Sequence, residues 1–399
     1  MAYNPLDDSP DGPSRTYREM RAAGELPFFD MFGAYLVSRY DDVRAALDDP
    51  RTFSSANALP DWTLSPPEVL DAMGGALPRG ISVVNTDPPL HTDVRRVLRT
   101  AFSGERVVRL REPIRAAAEE LAGGLAGEGR AELVSEYADR LVQTVSNRAF
   151  GFPAEDYDFV ARGCEVTVAM YNPMTPPEAK LRLKPEFLAY ERYLLDIIAD
   201  RRADPRDDII SDLVRGGEAG GLMSETDLVW SIRAFRVAGH DVTRDMMAST
   251  LLSMLSDRRH WDAAVADPAA IPALVEESAR RDAPHRGLMR VTTADTELAG
   301  QKLPAGTQLL LLFGSACLDD AHFPDPDAFT PGRDNIGDHL SFGGGPHVCP
   351  GANLARTEVR IGIETLTRRL PGLRPVDGYD PRYIPNPFFR GLASLDVTW

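Results

Sequence analysis

The sequence predicts a mainly helical protein with one long central helix and small strands near the two ends of the chain. Three observations carry that reading. Apolar residues recur at helical spacing from about 92 to 256, as in PIRAAAEELAGGLA and FLAYERYLLDIIADRR. Strand-like stretches are short and lie near the termini: AYLVSRY at 34–40, MRVTTADTELAG at 289–300, TQLLLLFG at 307–314 and SLDVTW at 394–399. Finally, Ser224 with Asp227 has the spacing of a capping box, and the apolar pattern behind it continues to about Ser256. A helix of that extent spans roughly 45 Å, enough to cross a whole domain. Being so apolar, it belongs in the centre.

The 399 residues contain no Ser/Gly-rich or Pro-rich linker and no repeat, which predicts one domain over 15–399 after a flexible lead-in over 1–14. Hydrophobic residues make up 43%, and the mean hydropathy is −0.25. No apolar run approaches the roughly 20 residues of a membrane span. The start, MAYNPLDDSPDGPS, lacks the basic and apolar regions of a signal peptide, so a cytoplasmic, membrane-free protein is expected. A net charge of −16 argues against nucleic acid as a partner. Against that background, 91–111 carries six arginines (95, 96, 99, 106, 109 and 111) beside only Asp93 and Glu105. It reads either as a solvated helix face or as a docking patch for an acidic protein or an anchor for an anionic ligand.

Three cysteines, Cys164, Cys317 and Cys349, are too few and too scattered for a disulfide framework or a paired zinc motif. Cysteine chemistry must therefore rest on one residue. Cys349 lies in FGGGPHVCPG, Phe342 to Gly351, directly ahead of the helical pattern ANLARTEVRIGIETLTRRL. Glycines at 343, 344 and 345 let the backbone approach another group closely, while Pro346 and Pro350 stiffen the loop. A helix N-terminus favours the thiolate of a cysteine placed before it.

Phe342, Gly343, Gly345, His347, Cys349 and Gly351 match F-G-x-G-x-H/R-x-C-x-G, so the segment resembles the haem-binding loop of the cytochrome P-450 superfamily. The resemblance extends over about 15–399 and implies the cytochrome P-450 fold, with the long helix passing over the haem. It implies haem b as cofactor and Cys349 as the axial thiolate that favours O–O cleavage. Glu277 and Arg280 match the family's E-x-x-R, a structural ion pair whose members share a helix face. His91 and Arg95, four apart in DPPLHTDVRR, resemble the family's holders of a haem propionate, with Arg290 and His347 as the remaining propionate partners. Cys164 and Cys317 match nothing and are expected in the core.

In the long helix, Ala238, Gly239, His240 and Asp241 fill the first four places of the family's A/G-G-x-D/E-T. A mid-helix glycine costs about 1 kcal/mol relative to alanine. Room for dioxygen, with a local loosening of the helix, is the compensating reason the resemblance implies for Gly239. Asp241 would feed protons from solvent, or instead pair with Arg244 at i,i+3. The departure is the fifth place, where Val242 stands for the usual threonine and Thr243 lies about 100° further round. Valine has no hydroxyl to donate or to hold a water. Three explanations are open: a substrate hydroxyl or bound water supplies the hydrogen bond, peroxide is used directly, or the oxidation is unusual and tolerates the loss; the first is favoured, because Asp241 otherwise lacks a receiver for its proton.

The resemblance thus implies a monooxygenase that activates O2 and oxidises, most simply hydroxylates, a C–H bond of a small hydrophobic organic substrate in secondary metabolism or catabolism. Separate ferredoxin and NAD(P)H-dependent ferredoxin reductase would supply electrons to a monomeric enzyme, docking at the Arg95 to Arg111 patch. The alternatives are an H2O2-driven peroxygenase, which Val242 would suit, and a non-catalytic haem-binding partner protein. The 57–85 loop is expected to cover the pocket, with Trp62 and Ile81 to Val84 as substrate contacts. Met170, Tyr171, Ala234, Val237, Leu288, Met289 and Phe388 are further candidates, each with plain core packing as the competing role. His285 and Arg286 would either bind a substrate carboxylate or hydroxyl or lie at the surface.

Overall fold

The computed structural model describes residues 4–7, 9, 12–59, 65–172 and 174–399, with the backbone alone at Gly12 and Pro13. Trp62 lies outside the described residues. The chain begins with α1 (Gly12–Ala22), β1 (Phe28–Phe29), β2 (Ala34–Val37), α2 (Tyr40–Asp48) and β3 (Phe53–Ser54). A helical stretch follows: α3 (Pro67–Ala72), α4 (Leu90–Ala101), α5 (Gly104–Leu125), β4 (Arg130–Glu132), α6 (Arg140–Phe150), α7 (Tyr157–Tyr171) and α8 (Pro177–Ala203). Then come α9 (Ile209–Glu218), α10 (Glu225–Ser256), α11 (Arg258–Ala266) and α12 (Ile271–Arg281). The remainder is β5 (Leu288–Thr292), β6 (Thr296–Leu298), β7 (Gln301–Leu303), β8 (Gln308–Leu311), α13 (Phe313–Ala316), α14 (Ala352–Arg369), β9 (Arg374–Pro375) and β10 (Asp396–Thr398). The fold is mainly helical with small sheets, as the periodicity predicts.

Two compact units divide it: Met1–Ser54 with Val107–Val142 and Asp241–Trp399, and Ser55–Arg106 with Gln143–His240. In the first, five strands form a sheet in the order β1-β2-β8-β5-β3. The apolar strands β2 and β8 run parallel, Leu36 opposite Leu310, and alternation sends their side chains to two faces. Leu36, Leu310 and Leu312 join Tyr17 and Met20 of α1 on one face. Val37, Leu309 and Leu311 join Val43 and Leu47 of α2 on the other. Burying both faces explains why AYLV and LLLL carry no polar alternation. One strand departs from the predicted confinement to the ends: β4, in mid-chain, pairs with the C-terminal β10, Ala131 opposite Val397. Three residues are too few for a period-2 pattern to register.

Helix α14 packs tightly in the same unit. A Cβ on Gly362 would lie 2.9 Å from Met247 Cε and 3.0 Å from Leu141 Cδ2, and the Gly362 carbonyl accepts from the buried Tyr137 hydroxyl at 2.8 Å. In the second unit, α8 turns one side towards 65–77. Lys180 Nζ donates to Ser65 Oγ at 3.0 Å, Lys184 Nζ reaches Ala72 O, and Leu77 N donates to Glu191 Oε2 at 3.2 Å. Polar anchors along one helix thus hold the segment that sequence alone reads as a cover.

Helix α10 begins as the capping box predicts. Ser224 N donates to Asp227 Oδ2 at 2.8 Å and Asp227 N to Ser224 Oγ at 3.3 Å. Its 32 residues stay α-helical without interruption, so the loosening expected at Gly239 is absent. No helix of the described residues is long and apolar enough to cross a membrane.

Gly362→Val should destabilise the protein by about 1–3 kcal/mol through overpacking. Gly123→Ala in α5, where an added Cβ meets nothing within 4 Å, should stabilise it by about 0.4–1 kcal/mol. Urea unfolding of the two variants beside the parent checks both signs.

Candidate functional site

The glycine-rich loop before α14 presents Cys349. Gly343 and Gly345 adopt left-handed backbone, φ 70° and 57°, which glycine takes without the usual Cβ clash. Gly345 also needs its missing side chain, since a Cβ there would sit 2.2 Å from Leu47 O. Cys349 N closes the loop on Phe342 O at 2.8 Å. Gly351 then occupies the N-cap of α14. Of the three cysteines, only Cys349 is partly accessible; Cys164 and Cys317 are buried. Leu340 N donates to Cys317 Sγ at 3.2 Å, and burial pushes that thiol above its ordinary value. Among the described residues, no three His, Cys, Asp or Glu side chains gather to hold a metal. The loop fits a group that brings its other ligands with it.

Two successive carboxylates on α12 tie together segments that flank the loop. Glu277 binds Arg280 through both oxygens, at 2.8 and 2.9 Å, and Oε1 also accepts from Arg333 Nε and Thr330 N at 2.8 Å each. Arg280 further donates to the carbonyls of Cys317 and Pro326 at 2.9 Å each. Glu276 faces α14, where Arg356 holds it at 2.7 and 2.9 Å and Arg360 at 3.2 Å. His339 Nε2 lies 3.2 Å from Glu276 Oε2, and the Arg356 guanidinium sits 4.2 Å above the Phe342 ring centre. The motif comparison picks out Glu277 and Arg280 but passes over Glu276. Arg356 and Arg360, one turn apart on α14, were the available signal.

On α10, Ala238 and Gly239 are exposed although the helix buries Leu228, Val229 and Ile232 before them and Met246, Met247 and Ala248 after them. A Cβ on Gly239 would meet nothing within 4 Å, so packing within the protein does not demand glycine there. Asp241 Oδ1 accepts from Arg244 Nη1 at 3.1 Å, the i,i+3 pairing weighed for it. Arg244 also donates to Asp245 Oδ1 at 2.8 and 2.9 Å. Val242 is half-buried, whereas the Thr243 hydroxyl belongs to a buried side chain.

Of the expected cationic anchors, Arg290 is buried on β5 and donates to Met289 O at 2.7 Å, and His347 closes a short turn of the cysteine loop. In the other unit, His91 is buried and Arg95 half-buried on α4. Arg96 and Arg99 on α4 and Arg109 and Arg111 on α5 are exposed. Arg106 is a correction to the patch: it is buried, paired with Asp212 at 2.5 Å and Asp207 at 3.2 Å. Burial of a cation requires such partners.

Several substrate candidates are corrected as well. Met170 is fully buried in a cluster with Val69, Met73, Val166, Phe187 and Trp230, so it has no surface for a ligand. Tyr171 stacks on Trp230 beside that cluster, ring centres 5.8 Å apart. Leu288 and Met289 pack against opposite faces of the sheet, so one pocket cannot be lined by both. Phe388 stacks on Phe32 at 5.3 Å. Ile81, Val84, Ala234 and Val237 are half-buried; Ile81 N donates to Asp227 Oδ1 at 2.6 Å. Arg286 is not a surface residue, being buried with Nε donating to Phe389 O at 3.1 Å. His285 packs edge-on to the Phe389 ring at 5.0 Å.

The carboxylates give the brace a pH dependence. Burial alone would raise both, yet hydrogen bonds from His339 and Arg356 hold Glu276 down at about 2, and those from Arg280, Arg333 and Thr330 hold Glu277 below its ordinary value. A depressed folded-state pKa contributes stability above the unfolded value, near 4.5, and loses it as pH falls through the folded one. The melting temperature should therefore drop between pH about 4.5 and about 2. Glu276→Gln should melt lower at neutral pH and fall less steeply over that window.

Comparison with known proteins identifies the family. The Cytochrome P450 family model matches residues 270–372, which hold the α12 carboxylates and the cysteine loop. The steroid C26-monooxygenase of Mycolicibacterium smegmatis is 31% identical over 98% of this chain and 93% of its own length. The erythromycin C-12 hydroxylase of Saccharopolyspora erythraea is 34% identical over 88% of this chain and 86% of its own. Among solved structures, the Tepidiphilus thermophilus P450 heme domain superposes with a TM-score of 0.92 at 28% identity, over 100% of this chain and 96% of that one. Cytochrome P450 CREJ in complex with (4-ethylphenyl) dihydrogen phosphate gives 0.91 at 28% identity, over 100% and 99%. The chain belongs to the cytochrome P450 family, as a monooxygenase whose cofactor is haem b bound through a cysteine thiolate.

Proposed function

We propose that the protein hydroxylates a C–H bond of a small hydrophobic organic molecule, with Cys349 as its haem ligand. The carrying observation is the loop: Cys349 is the one partly accessible cysteine, held ahead of α14 by a backbone that only glycine fits. The relatives named for steroid and macrolide oxidation support a substrate of that broad kind. When bound, haem b supplies activation of O2. The rest falls to the chain. Arg290 and His347, and on α4 His91 and Arg95, hold propionate oxygens through charge-assisted hydrogen bonds. Ala238 and Gly239 keep side-chain bulk off one face of α10. Asp241 carries a proton inward once its carboxylate leaves Arg244, 3.1 Å away in the resting pair.

Val242 has no hydroxyl to receive that proton, and the buried Thr243 is about 100° round the helix. A hydroxyl of the substrate, or a water it orients, takes the place. Val242 is also the observation that favours a second reading, turnover with peroxide alone. Electrons arrive from a ferredoxin docked on the exposed Arg96 and Arg99, with its reductase and NAD(P)H behind it.

With steroid and macrolide panels, ferredoxin, reductase, NADPH and labelled O2, one labelled oxygen atom should enter the product. Faster turnover with peroxide alone would establish the second reading instead. Val242→Thr should change product formed per NADPH several-fold, the scale of one hydrogen bond of about 1 kcal/mol; an unchanged yield would remove the missing hydroxyl from the mechanism. Arg99→Glu should slow haem reduction about tenfold at low salt and far less at high salt, measured by stopped-flow absorbance.

A further inference from the structure

The first half of α10 carries two arginines three residues apart, Arg233 and Arg236, 0% and 1% exposed. They share one side of the helix. Arg233 Nη1 donates to Glu191 Oε1 of α8 at 2.9 Å. Its guanidinium lies 4.7 Å from the ring centre of Phe187, 5.2 Å from Trp230 and 5.5 Å from Tyr171. Arg236 Nε donates to Asn147 Oδ1 of α6 at 2.9 Å, and among the described residues it has no ion pair.

The unsatisfied atoms of these two arginines and of Asn147 and Trp230 are all of one kind. Arg233 Nε and Nη2, Arg236 Nη1, Asn147 Nδ2 and Trp230 Nε1 are buried without an acceptor. Every one is a donor. The charges do not balance either: Arg233 pairs with the carboxylate of Glu191, and among the described residues Arg236 pairs with none. Tyr190, on which both arginines act electrostatically, cannot supply the difference, because burial drives its hydroxyl well above its ordinary value and keeps it neutral. A water molecule would satisfy donors but leave the charge. Burying an uncompensated cation is strongly unfavourable.

We propose that this layer between α6, α8 and α10 binds a monoanion, either the carboxylate of a substrate or a small free anion such as bromide or formate. Both supply one negative charge and several acceptor positions to a donor-only, aromatic-walled setting. Arg236, which no carboxylate of the described residues neutralises, is the principal anchor, with Arg233 the second.

Two measurements on the holoprotein test this and separate the sources. Melting temperature is followed as sodium bromide or sodium formate replaces the sodium salt of the bulky sulfonate MES at constant ionic strength. The parent should rise saturably by several degrees, whereas Arg236→Met should be insensitive and, in MES alone, melt no lower than the parent. In parallel, dodecanoic acid and methyl dodecanoate are titrated against the haem absorption band, an arm that rests on the haem-thiolate reading. An acid preference of about tenfold, lost in Arg236→Met, assigns the site to a substrate carboxylate. Equal binding of acid and ester beside an intact bromide effect assigns it to a free anion. If neither lipid moves the band, dodecanoate and its ester are not ligands and the melting result alone decides the proposal. A flat anion response together with no acid preference overturns the proposal. Should Arg236→Met not fold, a bromide soak of parent crystals substitutes: an anomalous peak against Arg236 Nη1 supports the site, and its absence overturns it.

Discussion

Two neighbouring carboxylates of α12 hold together the segments that flank the cysteine loop. Glu277 gathers Arg280, Arg333 and the Thr330 amide, and Arg280 passes the connection on to the carbonyls of Cys317 and Pro326. Glu276 faces the other way, to His339, Arg356 and Arg360, and Arg356 lies over Phe342 at the head of the loop. A buried carboxylate with several charge-assisted partners is favourable only when all are in place, and removing one strands the others. That all-or-none character suits a loop that must hold one sulfur atom in one position. The glycines permit the loop's backbone path; the carboxylates hold the chain that flanks it.

Helix α10 combines two kinds of exception to ordinary helix design. Ala238 and Gly239 expose backbone in the middle of a helix that is buried before and after them. Three and six residues before Gly239, Arg236 and Arg233 put guanidinium groups among buried side chains. Both break the rule that a long buried helix is uniformly apolar. Such local violations mark the places where function outweighs packing. In the first, small residues leave space; in the second, polar residues demand a partner.

Much of this was legible in the sequence because it rests on short-range rules. The Ser224 and Asp227 cap, the extent of α10, the apolar strands β2 and β8, and the contrast between Cys349 and its two buried counterparts follow from spacing and local chemistry. What escaped depends on contacts distant in the chain. Strand β4 exists only because β10 returns to pair with it. Arg106 resembles its exposed arginine neighbours until Asp207 and Asp212 are brought against it. Met170 could not be divided between core and pocket by residue type, because both use large apolar side chains. Only the opposed faces of the neighbours Leu288 and Met289 lay within reach of a local rule, strand alternation.

The central claim is that one cysteine, Cys349, carries the cofactor. Iron-edge X-ray absorption of the holoprotein reads it most directly, by detecting sulfur in the first coordination shell. One sulfur scatterer is expected in the parent protein, in Cys164→Ser and in Cys317→Ser, and none in Cys349→Ser. A sulfur signal that survives Cys349→Ser, or disappears with either of the buried cysteines, would contradict it.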